Sequence, residues 1–87
     1  MEERYYRVTN VDTYLDEGCS YTIDGVFMHP YLRRSEVILH EITRKEYEIW
    51  RWRVAMRMFK IAKTKSERAK HFNYATAIYR HIVWLGQ

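Results

Sequence analysis

Between residues 51 and 70 the chain sets eight bases, Arg51, Arg53, Arg57, Lys60, Lys63, Lys65, Arg68 and Lys70, against a single acid, Glu67. Guanidinium and ammonium groups at this density neutralise phosphates and release condensed counterions. They therefore attract polyanions and hasten encounter with acidic partners. Arg53, Arg57 and Lys60 recur at i, i+4 and i+7, which on a helix makes one ridge able to follow a phosphate backbone. A second set lies further along: Tyr74, Arg80, His81 and Trp84, with Lys70, share the polar side of a helical pattern. Trp, Tyr and Arg are the types enriched at interface hot spots. The first set is the candidate nucleic-acid-binding surface, the second a candidate partner-binding surface.

Catalytic chemistry has less to draw on. Cys19 is the only thiol and no flanking motif gives it a base, so it is expected to be a plain buried or surface thiol. Asp12, Asp16 and Glu17 lack the spacing and the distal Glu of an EF-hand and suit a solvated acidic turn. His29, His40, His71 and His81 are not paired closely enough for a zinc site, and no Gly-rich phosphate loop occurs. The expectation is a non-enzymatic protein with no catalytic residue, no metal and no cofactor.

Composition narrows the class. A chain of 87 residues buries about 65% of its extended surface, enough for one modest core. Hydrophobic residues at 47% and aromatic residues at 16% argue against disorder, and three Gly with one Pro leave no room for a linker. One cysteine excludes an internal disulfide framework and suits a reducing compartment. No apolar run approaches ~18 residues and no cleavable leader opens the chain, which points to a soluble, cytoplasmic protein with no membrane partner. The charge is uneven: residues 1–30 hold two bases and six acids, residues 31–87 thirteen bases and five acids. The basic stretch is either an exposed polyanion-binding face or is neutralised by the acidic amino-terminal third folding back on it.

These residues must be positioned by a small set of elements. Tyr5-Tyr6-Arg7-Val8-Thr9 reads as a strand, and Asp16-Glu17-Gly18 as a turn. Asp24-Gly25 between Tyr21-Thr22-Ile23 and Val26-Phe27-Met28 predicts a hairpin with a type I′ turn, which needs positive φ at both central residues. Pro30 biases His29 towards extended geometry. Residues 35–42 are ambiguous; strand is favoured, with Val37 and Leu39 on one face and Ile38, His40 and Ile42 on the other, as in an inner strand.

Thr43 with Glu46 three residues on forms a capping box, and Ile42 with Tyr47 a hydrophobic staple, so a helix should run from there to about Lys63. Thr64-x-x-Glu67 opens a second helix running to Leu85, with Gly86 placed to end it in a left-handed conformation. The first helix carries two apolar stripes, Tyr47-Trp50-Val54-Met58-Ile61 and Ile49-Trp52-Met56-Phe59. Arg51, Ala55 and Ala62 mark the ridge opposite the basic one. Two-sided apolarity predicts a sandwiched helix and a possible homodimer. The second helix groups Phe72, Ala75, Ile78, Tyr79, Ile82 and Val83 on one side.

The expected fold is thus a single α+β domain: an antiparallel sheet of three or four short strands in residues 1–42, then two antiparallel helices in 43–87. The alternative is one long carboxy-terminal helix forming an oligomeric coiled coil, because the apolar spacing stays in register through Lys65 and Arg68. The expected function is a small regulatory or adaptor protein engaging nucleic acid or a nucleoprotein complex through the basic helical segment. The rival is a protein-binding inhibitor or adaptor using the aromatic and cationic face.

Overall fold

The computed structural model describes residues 1–86 and has an α+β fold: a four-stranded antiparallel sheet followed by two helices. The strands are β1 (Glu3–Asn10), β2 (Asp16–Ile23), β3 (Val26–Met28) and β4 (Val37–Ile42), in the order β3-β2-β1-β4. A single 3-10 turn, Arg34–Glu36, leads into β4. The helices are α1 (Arg44–Ile61) and α2 (Lys65–Leu85). The chain divides into two compact units, Met1–Tyr47 and Glu48–Gln87. Among the described residues, no helix is long and apolar enough to cross a membrane.

In the first unit β1 is the central strand, pairing Tyr5 with Tyr21 of β2 and with Ile42 of β4. The β2–β3 hairpin turns at Asp24 and Gly25, whose φ angles of 51° and 84° are those of a type I′ turn. Alternation along paired strands puts Tyr6, Val8, Ser20, Thr22, Val37 and Leu39 on one face. Val8, Val37, Ser20 and Thr22 are buried there. Ser20 donates its hydroxyl to the Met28 carbonyl, which satisfies that buried polar group. The opposite face carries Tyr5 and Tyr21, and the Tyr47 ring packs on both, with centroids 4.9 and 6.1 Å apart.

Two details of the sheet differ from the sequence expectation. Asp16-Glu17-Gly18 is not a turn but lies within β2. Arg7 pairs with Cys19 and Thr9 with Asp16, so Glu17 and Gly18 together face Val8, a β-bulge with Gly18 at φ 82°. The turn itself is built by Asn10, whose side-chain oxygen accepts from the Asp12 and Thr13 N–H groups, with Tyr14 at φ 57°. Residues 37–42 are a strand as favoured, but an edge strand rather than an inner one.

The helices start where the caps predict. Thr43 Oγ1 accepts from the Glu46 N–H at 3.1 Å, and Thr64 Oγ1 accepts from Glu67 N–H at 3.1 Å. Thr64 itself is extended (φ −112°, ψ 156°), so the chain leaves α1 and re-enters a helix within three residues. That break removes the single long helix; Lys65 and Arg68 are not seam positions of a coiled coil. Gly86 ends α2 in the right-handed region at φ −81°, with its N–H bonded back to the Ile82 carbonyl, so no left-handed cap forms.

Within the second unit the helices run antiparallel. Trp52 meets Tyr79 and Phe59 meets Phe72, so positions ascending α1 match positions descending α2. Ala55, Ala75 and Ile78 form the core, with Trp52, Met56 and Ile82 packed against it. The most buried positions from α1 to the residue just after it are Glu48, Ala55 and Ala62, seven residues apart, and not either of the two apolar stripes. Trp52, Met56 and Phe59 flank the seam. The other stripe is left more open, with Val54, Met58 and Ile61 exposed.

Candidate functional site

The eight bases of residues 51–70 separate into groups by what the fold asks of them. Arg51 is turned onto its own unit. Its guanidinium donates to Glu48 Oε2 at 2.9 Å and to the Tyr74 hydroxyl at 2.6 Å, and lies 5.6 Å from the centre of the Tyr74 ring. Arg68 Nε donates to the Ala62 carbonyl at 3.2 Å, covering one of the open carbonyls at the end of α1. Arg53, Arg57 and Lys60 stand exposed on the side of α1 turned away from the α2 seam. Lys63 and Lys65 flank the interhelix turn, and Lys70 lies on α2, all three exposed. Among the described residues, no ion pair or side-chain hydrogen bond engages these six.

Several acids of the first unit, Glu2, Asp16 and Glu41 among them, pair with arginines of the same unit. Arg4 pairs with Glu2 and Glu41, and Arg7 with Asp16. Asp16 accepts from the Gly18 backbone N–H first and the Arg7 side chain second, and the two hold its carboxyl below the usual carboxylate range. Arg4 is raised by its bond to Glu2 and Arg7 by its bond to Asp16. By sequence, the unit from Glu48 onward holds nine bases against Glu48 and Glu67, a formal +7, and the unit up to Tyr47 six bases against nine acids, a formal −3.

The second set is brought together more tightly than its sequence spacing shows. Glu48 is 4% exposed, a carboxylate in the helix seam, held by Arg51 and facing His81 Nδ1 at 3.7 Å. The His81 ring stacks on Trp84 with centroids 5.8 Å apart and planes 23° apart. Trp84 remains 65% exposed and Tyr74 52% exposed. Arg80 is exposed one turn before Trp84. The sequence assigns Glu48 no role, and sets Arg51 both among the phosphate contacts and on the ridge of Ala55 and Ala62. The signal that joins them is the i, i+3 spacing of Glu48 and Arg51, a helix neighbour pair.

Cys19 is half-buried on β2, and burial pushes its thiol up from the ordinary value despite the nearby Arg7. A thiol held in this way is poorly disposed to nucleophilic chemistry. Compared with known protein families, curated proteins and solved structures, the chain matches none of them.

Proposed function

We propose that this protein is a small non-enzymatic regulatory or adaptor protein that engages nucleic acid, or a nucleoprotein complex, through the basic surface of α1 and the interhelix turn. The observation that carries this reading is the exposed ridge of Arg53, Arg57 and Lys60, continued by Lys63 and Lys65, none of which makes an ion pair among the described residues. Arg53 and Lys60 are seven residues apart, about 10 Å along the axis, so the three side chains span several phosphates of one strand. Arg51 and Arg68, tied to Tyr74, Glu48 and Ala62, contribute field rather than direct contacts.

The test is a fluorescence-anisotropy titration of labelled oligonucleotides, DNA and RNA, single-stranded and duplex, at 50 mM salt. The wild-type protein is expected to bind. The triple variant Arg53→Gln, Arg57→Gln, Lys60→Gln keeps good helix formers and is expected to bind roughly 10²-fold more weakly. Absence of binding to every oligonucleotide at 50 mM salt would overturn the proposal.

A further inference from the structure

Lys70, Tyr74, Ala77, His81 and Trp84 follow one another at spacings of four and three, and so form one stripe along α2, about 21 Å long. The two large rings on this stripe are more than half exposed, and each has a cationic or cation-forming group fixed beside it. Arg51, held by the buried Glu48, is bonded to the Tyr74 hydroxyl and lies by its ring; His81 props the Trp84 indole. Among the described residues two carboxylates lie near the stripe: Glu48, buried and already occupied by Arg51, and Glu67, exposed one turn before Lys70 at its amino-terminal end. From Lys70 to Trp84 the stripe therefore offers flat apolar surfaces and positive charge together.

We infer that the ligand of this surface is single-stranded nucleic acid, its bases stacking on Tyr74 and Trp84 and its phosphates meeting Lys70 and His81, with Arg51 adding its field. This rests on the proposed nucleic-acid function and names the form of nucleic acid. A duplex hides its base faces inside the stack, so exposed rings gain little from it. A single strand presents π-faces that any aromatic side chain can accept, whatever the base. Tyr74 and Trp84 are ten residues apart, about 15 Å along the helix, which matches some four steps of a stacked strand at about 3.4 Å each. Arg51 links the two candidate surfaces, since it lies in the basic segment by sequence and at the aromatic stripe in space.

The experiment compares a twelve-residue oligothymidylate with a blunt duplex of the same length, using the wild-type protein and the Trp84→Ala, Trp84→Phe and Tyr74→Ala variants. Thermal melts serve as the folding control, and Trp84 is exposed enough for its removal to leave the core untouched. The single strand should bind more tightly than the duplex. Trp84→Ala should weaken it about 5- to 100-fold, with the slope of log K against log salt unchanged, because stacking releases no counterions. Trp84→Phe should restore most of the loss, and Tyr74→Ala should act in the same direction as Trp84→Ala. Unchanged single-strand affinity in Trp84→Ala, with the duplex bound through Arg53, Arg57 and Lys60, would overturn the inference while the wider reading stands; it would return Trp84 to a protein partner. Binding of neither oligonucleotide would overturn both.

Discussion

Gly25 sits at φ 84°, and a Cβ built there would meet nothing within 4 Å. Any cost of a side chain at this position is therefore backbone strain and not a clash. Gly25→Val should lose roughly 1–3 kcal/mol, read as a lower melting temperature, because a β-branched residue is strained at positive φ. An unchanged melt would contradict the type I′ assignment. Cys19 gives a second residue-scale test. Burial raises its thiol, so the folded state favours the protonated form; that contribution is present below the ordinary thiol value and is lost as the pH rises through the raised one. Alkylation of native protein by iodoacetamide at pH 8 should be slower than that of the urea-unfolded chain, and equal rates would contradict the burial. For Asp16, whose carboxyl is lowered, the sign reverses: its contribution is present above the ordinary carboxylate range and is lost as the pH falls below it. The Asp24-Gly25 turn was legible because only Gly, Asn and Asp commonly accept its geometry. The Asn10–Tyr14 turn was harder to read, because it holds no Gly or Pro and places a tyrosine at φ 57°, a conformation that turn composition does not assign to Tyr.

At the scale of elements, the break at Thr64 decides between a helical hairpin and one long helix, and a single substitution tests it by sign. Thr64→Ala removes the oxygen that accepts from Glu67 N–H and should destabilise the protein by about 1 kcal/mol. In a continuous helix the same change would be neutral or stabilising, since Ala has the higher helix propensity. The midpoint of urea unfolding distinguishes the two. Both helix starts were legible because Thr43 and Thr64, three residues before a Glu, accept from the orphan N–H groups of Glu46 and Glu67. The buried ridge was not. Apolar periodicity pointed to the Trp, Met and Phe stripes, whereas the most buried positions are Glu48, Ala55 and Ala62, two small residues and a carboxylate held by Arg51. The edge position of β4 was equally hidden, since strand order is set by long-range pairing that a local pattern does not encode.

For the whole molecule, the charge asymmetry seen along the sequence coincides with the division into two units, one of net −3 and one of net +7. The basic set was legible as composition, but its partition was not. Arg51 and Arg68 are drawn into contacts within the helical unit, while Arg53, Arg57 and Lys60 are left on its outer side. A binding surface of this kind must show itself through salt, because each phosphate neutralised releases a counterion. The most direct measurement is the affinity for a labelled oligonucleotide between 50 and 200 mM salt, with wild-type protein and the Arg53→Gln, Arg57→Gln, Lys60→Gln variant side by side. Four to six phosphate contacts predict a slope of log K against log salt of about −3 to −4 on a single strand, or −4 to −5 on a duplex. The variant should be shallower by about 2 to 3, with its melting temperature maintained. Equal slopes for the two proteins, or no binding at 50 mM salt, would contradict the assignment of this ridge to a phosphate backbone.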